Sequence, residues 1–351
     1  MPRSYSGEKP DTLQKLKTDL KSGSLGSFYV FCGEEAYLRE HYLKQLSDAL
    51  LDGPASDFNF HRFSAETLTP EALSDAVESM SMMAERTLVR VDDVDFFKLN
   101  ETQREQYRTI FSDLPDWCCL LLVYDTVEFK LNRTMKKLAE AVGKAQVVEF
   151  RRQSDRELRA WIVRHFRAHG KQISDTLCDA LIFMTDGSMT LLSSEIEKVA
   201  LYATGAEIRK SDIDAVVIPV LSAQTFDISN AIADGNYEKA LQKLQDLFAM
   251  QTEPLLILGA IGSQMRRLLY ARAVLSAGRG QQALCDLTGM SSFAAGPTMR
   301  AAAKVTDRFC TRAVELVLET DEQIKRSYGD SEQLLELLIA KLALEAGHAP
   351  L

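Results

Sequence analysis

The sequence holds six cysteines among 351 residues but no C-x-x-C pair. That absence excludes a zinc ribbon and a thioredoxin-like redox centre. Cys118 and Cys119 are neighbours on an apolar run, where successive side chains point to opposite faces, so they cannot bridge each other within it. Cys32, Cys178, Cys285 and Cys310 are scattered, and all six read as reduced, mostly structural thiols. No apolar stretch approaches the ~20 residues of a membrane span. Met1–Asp11 is polar and lacks the apolar core of a secretory signal, so a cytoplasmic protein is expected. Hydrolase signatures are missing too. His165 and His169 stand four apart, but no glutamate follows His165 as H-E-x-x-H requires, and no G-x-S-x-G occurs. They read as a polar helix face, not a ligand pair.

A basic domain is equally lacking. The net charge is -9, made of -7 over residues 1–150, zero over 151–220 and -2 over 221–351. A strong isolated nucleic-acid binder carries a basic patch or domain, so any DNA contact is expected to be weak or to need an assembly. What the chain does have is 46% hydrophobic residues, enough for packed cores in two or three domains.

Residues 1–150 alternate strand and helix. Segments 28–32, 59–63, 87–94, 117–124 and 146–150 read as strands, the first and fourth as apolar runs. Helical spacing is read at 36–50, from Pro70 to about Met83, from Asn100 to about Phe111, and at 132–142. Five short apolar strands joined by helices imply a parallel sheet covered on both faces. The alternation then stops. Ser154 with Glu157 forms a capping box, and helices at 155–169, 174–185, 190–203 and from Arg209 make a small helical domain over 151–220. Residues 221–351 read as helices only, at 226–234, 237–249, 253–276, 281–288, 297–305, 310–328 and 333–345.

The first strand leads into Gly33-Glu34-Glu35 and then a helix, which is the frame of a phosphate site. A P-loop needs several backbone N–H groups, a lysine and a Mg²⁺-binding hydroxyl. This turn offers one glycine, no lysine and two carboxylates that would repel a triphosphate. Leu88-Val89-Arg90-Val91-Asp92-Asp93 approaches a Walker B strand, and Asp92 could in principle hold Mg²⁺; solvated acids at a strand end are the plainer reading. The frame resembles an AAA+ module. By that resemblance Gly187-Ser188-Met189 opens the third helix of a lid, and the next position, an arginine in active relatives, is Thr190. A helix end at Gly187 and a new start at Thr190 describe the same residues.

Two further patterns stand out. Met80-Ser81-Met82-Met83-Ala84-Glu85-Arg86 sets adjacent methionines at a helix tip, and adjacent helical positions cannot both face one core. Periodicity favours Met80 and Met83 packed inward with Met82 incidental; the alternative is an exposed apolar anchor for a partner. In the last segment, Arg266, Arg267 and Arg272 share one long helix with Tyr270. Arg300, Lys304, Arg308 and Arg312 recur every four residues, as on one helix face. Such a stripe can follow a phosphate backbone, or be paired with acids such as Asp307 and Glu315. Tyr328 could stack on a base or simply close a packed helix.

Together these segments resemble the delta subunit of the bacterial DNA polymerase III clamp loader. The match is carried by Tyr29–Leu38, Met80–Arg86, Leu191–Lys198 and Asp321–Lys325, in order, over essentially the whole chain. The resemblance implies an α/β plus all-α fold: a degenerate AAA+-like five-stranded parallel sheet domain (1–150), a small helical lid (151–220) and a C-terminal helical collar (221–351). It implies no cofactor and no active site of its own, within a polymerase holoenzyme. The implied partners are the beta sliding clamp, tau/gamma and delta-prime subunits, and primer–template DNA, with no membrane. An apolar wedge, commonly Leu-Phe, would enter the clamp and help open it; here it falls on Met82 and Met83, flanked by Ser81 and Glu85. DNA contact would fall to Tyr328, Arg266 and Arg267. The alternative is a delta-prime-like scaffold or nucleotide-binding subunit. Its usual four-cysteine zinc module and Ser-Arg-Cys arginine finger are absent.

Overall fold

The structure is a computed structural model and describes residues 12–51, 56–132, 135–326 and 330–346. The chain divides into two compact units, Met1–Gln153 and Ser154–Leu351.

The first unit holds α1 (Thr12–Ser22), β1 (Phe28–Cys32), α2 (Ala36–Leu50), β2 (Phe60–Phe63), α3 (Pro70–Glu78), β3 (Thr87–Asp92), α4 (Glu101–Ser112), β4 (Cys118–Val123), α5 (Lys136–Val142) and β5 (Gln146–Glu149). The five strands are parallel, in the order β2-β3-β4-β1-β5. Every residue of β1 and β4 is buried, as continuous apolar strands covered on both faces should be. On one face Phe28, Val30 and Cys32 pack with Phe96, Tyr107 and Phe111. On the other, Phe31 meets Phe150 edge-on. Asn100 caps α4 through the Gln103 N–H. Helix α1, not expected from the sequence, buries a single residue, Leu16.

The second unit is helical: α6 (Asp155–Ala168), α7 (Asp175–Met184), α8 (Met189–Tyr202), α9 (Lys210–Val216), α10 (Leu221–Ala233), α11 (Tyr237–Ala249), α12 (Pro254–Ser276), α13 (Gln281–Thr288), α14 (Ser292–Lys304), α15 (Asp307–Arg326) and α16 (Ser331–Glu345). The Ser154–Glu157 capping box is formed. Helices α10 to α16 share one core around Ile257, Ile261, Met265, Ala313 and Leu338. Pro297, read as a helix start, lies inside α14, which begins five residues earlier behind the Ser291 cap. A proline there removes one ladder hydrogen bond, and the cap and the buried Ala294, Ala295 and Thr298 hold the turn in place. No single helix among the described residues is long and apolar enough to cross a membrane; α9 and α10 reach that composition only together, and they meet at 112°.

The six cysteines are free. Burial pushes the Cys118, Cys119 and Cys178 thiols up to about 12, so they are unreactive packing groups.

Candidate docking loop and closed nucleotide turn

The turn after β1 is sewn shut. Gly33 sits at φ +117°, open in practice to glycine alone, and a β-carbon there would lie 2.3 Å from the Phe150 carbonyl oxygen. Two N–H groups that a phosphate would need are consumed: Glu35 donates to Phe150 O (3.0 Å) and Ala36 to Glu34 O (3.1 Å). Arg39, one turn into α2 and 2% exposed, donates through Nη1 to Gly33 O (2.7 Å) and through Nη2 to the Asp125 carboxylate. Glu35 is itself buried, and that burial raises its carboxyl pKa against the pull of the Tyr37 N–H, Arg152 and Arg39. A guanidinium and a carboxyl thus take the place of the loop. No local sequence pattern marks Arg39, whose partners lie six and 86 residues away.

The acids at the end of β3 are also occupied. Asp92 bridges Arg62 Nε (2.6 Å) and Arg90 Nε (2.5 Å). Asp93, at φ +54°, accepts from the N–H groups of Asp125 (2.7 Å), Thr126 (3.0 Å) and Val127 (3.1 Å) and from Thr126 Oγ1 (2.9 Å). Partial burial works to raise its pKa, but these donors outweigh burial and leave the carboxyl below its ordinary value. The two acids knit β2, β3 and the loop after β4 together. No cluster of metal-ligating side chains occurs among the described residues. At the other sequence-flagged turn, Gly187 closes α7 with φ +69° and its N–H on Ile182 O, Ser188 caps α8, and Thr190 is exposed.

The methionine segment departs from its sequence reading. Helix α3 ends at Glu78, eight residues before β3 resumes, so Met82 and Met83 lie on a loop and not on a helix tip. The helical rule for sorting inward from outward methionines therefore does not apply. Met80, Met82 and Met83 are 76, 55 and 84% exposed, so Met80 and Met83 do not pack inward. The loop is fixed from within. Asn59, 1% exposed, donates through Nδ2 to Met82 O (2.8 Å) and accepts at Oδ1 from Met82 N–H (2.6 Å). Ser81 Oγ donates to Ala84 O (2.6 Å), and Arg86 donates to Leu25 O and Gly26 O (2.8 and 3.0 Å). Glu85 is exposed. The result is a short stretch of held backbone presenting three flexible apolar side chains to solvent. Isolated exposed apolar residues are ordinary, but a contiguous set marks a contact surface.

The basic residues of the second unit separate into paired and free. The four-residue stripe is broken, because α14 stops at Lys304 and α15 starts at Asp307. Lys304 pairs with Asp234, Arg272 with Asp307, and Arg312 with Glu315, Glu319 and Glu345. Arg266 and Arg267 make no ion pair among the described residues; the first is exposed and the second half-buried. Tyr270 is 43% exposed. Tyr328 lies outside the described residues.

The first unit is a parallel five-stranded sheet with helices between its strands, its turn after β1 closed by its own backbone, and the second unit is helical throughout its described residues. Residues 29–151 match the family model for DNA polymerase III, delta subunit, and residues 222–342 match that for the DNA polymerase III delta subunit, C-terminal domain. Together they span well over half of the chain, which belongs to the DNA polymerase III delta subunit family. The DNA polymerase III subunit delta of Bacillus subtilis is 24% identical over 335 residues, covering 92% of this chain and 94% of its own. That of Escherichia coli is 21% identical over 322 residues, with 91% of each chain covered. The solved structure of the Bacillus subtilis DNA clamp loader delta protein shares the fold, with a TM-score of 0.60 at 22% identity over 95% of this chain and 99% of that one.

Proposed function

We propose that this chain is the clamp-loader subunit that grips the beta sliding clamp and favours its opened interface, without hydrolysing ATP itself. The observation that carries the reading is the 79–86 loop, whose backbone is hydrogen-bonded in place while Met80, Met82 and Met83 point to solvent. A flexible apolar anchor on a rigid base suits insertion into a partner's pocket. Ser81 shapes the loop through Ala84 O, and Glu85 stands at its exposed rim. Opening follows from differential affinity: the loop must bind the opened clamp more tightly than the closed one, since equal affinity shifts nothing.

Nucleotide work falls to tau/gamma subunits of the same ring, with delta-prime completing it. The consumed N–H groups at Gly33–Ala36 support that division. In this reading residues 1–150 carry the grip, 151–220 form the lid, and 221–351 form the collar that joins the ring. The collar meets primer–template DNA through Arg266 and Arg267, with Tyr328 as a further contact, in a cytoplasmic holoenzyme. The test is a direct titration of purified sliding clamp against the single chain. Met82→Ala with Met83→Ala should abolish binding while ring assembly persists, and an unchanged affinity would remove the docking loop from the mechanism.

A further inference from the structure

The docking loop has no glycine, no proline and no regular structure between Ser79 and Arg86, yet its backbone is held. One side chain from outside the loop grips its apex. Asn59 ends a short 3-10 turn, Ser56–Asn59, directly before β2, and both its amide groups bond Met82, the donor at Met82 O and the acceptor at Met82 N–H. A planar amide that bonds both the N–H and the C=O of one residue in this way mimics a hydrogen-bonded pair of an antiparallel β-ladder. It fixes the Met82 main chain at two points, its N–H and its C=O. Its next-door neighbour Phe58 is 69% exposed.

We propose that Asn59 is the positioning residue of the docking loop: it sets Met82 and Met83 in their binding arrangement before the partner arrives. This rests on the reading of the loop as the clamp-docking surface. Without the clasp the loop would retain its outer ties at Ser81 and Arg86 but sample several paths between them. The partner would then have to order it on binding, and ordering free segments weakens association. Asn59 touches nothing outside its own chain in this role. It acts through Met82, by shifting the population of the competent loop.

The test compares wild type, Asn59→Ala and Asn59→Asp in three measurements on the full chain: clamp affinity by titration, urea midpoint, and exchange protection of the Met82 amide. Asn59→Asp keeps the acceptor for Met82 N–H and loses the donor for Met82 O, so it serves if the alanine variant does not fold. The expected result is a roughly tenfold weaker clamp affinity for Asn59→Ala, equivalent to about 1.4 kcal/mol, with Met82 amide protection lost. Asn59→Asp, which sets a carboxylate oxygen against Met82 O in place of the amide donor, should weaken clamp affinity as well. A purely structural asparagine would lower the urea midpoint and leave the affinity of the folded chain unchanged. Either folded variant binding the clamp as wild type does overturns the assignment. A wild-type chain that does not bind the clamp at all overturns the docking reading, and the assignment with it.

Discussion

The α-carbon of Gly33 faces the Phe150 carbonyl so closely that a β-carbon would lie 2.3 Å from its oxygen. The same oxygen accepts the Glu35 N–H, and Phe150 N–H returns to Cys32 O at 2.7 Å. Gly33 is therefore where β1, the turn and the end of β5 are joined backbone to backbone. Gly33→Ala must both leave its left-handed φ and push β5 aside, each disfavoured by about 1–3 kcal/mol. A loss of at least ~2 kcal/mol is expected, read as a lowered urea midpoint. A midpoint within error of wild type would mean that the turn has slack that this geometry denies.

Two carboxyls near that turn respond to pH in opposite directions. Asp93 has a folded pKa below its ordinary value of 3.8. Its stabilisation is complete above the unfolded pKa and is lost as pH falls through the folded one. Glu35 has a folded pKa raised above 4.5. What it contributes is present below that value and is lost as pH rises through the folded pKa. Asp93→Asn should therefore lower stability at neutral pH by about 1–2 kcal/mol, through weaker acceptance from four donors, and flatten the acid limb below pH 4. Glu35→Gln should raise stability at neutral pH and leave the acid limb intact. Urea unfolding between pH 3 and 8 separates the two; parallel profiles for wild type and Glu35→Gln would contradict the assignment of Glu35.

Met83 adds a case in which stability and binding should part. At φ +55° it holds a left-handed backbone that costs a non-glycine residue about 1 kcal/mol, and its side chain is 84% exposed, so side-chain packing offsets little of it. Met83→Gly relieves the backbone and removes the side chain. Thermal stability should stay level or rise slightly, since the greater unfolded-state freedom of glycine offsets part of the gain. Clamp affinity should drop by an order of magnitude. Loss of both together would place Met83 in the packing of the unit and not in docking.

The elements that the sequence disclosed share one property: their signals are local. Strands β1 and β4 were legible from unbroken apolar runs such as Cys118–Val123, and α4 and α6 from caps at Asn100 and Ser154. Three features escaped for physical reasons. Helix α3 stops without glycine or proline, because the Met82 backbone finds its partners on Asn59, 23 residues back. Helix α1 buries one leucine, too little for a period to register. The stripe at Arg300, Lys304, Arg308 and Arg312 kept helical spacing across a break between two helices. Of the candidate site, the missing phosphate loop and the methionines were visible, whereas Arg39 and Asn59 act through contacts that no local pattern encodes.

The paired and unpaired cations of the second unit give the last prediction. Arg312 is held by three carboxylates, and Lys304 and Arg272 by one each, so recruiting any of them to a phosphate means breaking an existing pair. Arg266 and Arg267 carry no such partner among the described residues and lie in mid-helix on α12, where neighbouring turns hold their backbone rigid. A phosphate contact releases counterions, and each one steepens the salt dependence of binding by about 0.7–0.9 on a log–log scale. In the reconstituted loader, Arg266→Ala with Arg267→Ala should weaken primer–template binding and reduce that slope by one to two contacts' worth. Arg312→Ala should leave the slope alone, because its charge is already neutralised within the chain. Clamp affinity should be unchanged in all of these variants, since the proposed function assigns it to the 79–86 loop. An unaltered salt slope in the double variant would remove α12 from the DNA path, and a changed slope in Arg312→Ala would show that the carboxylate network opens on binding.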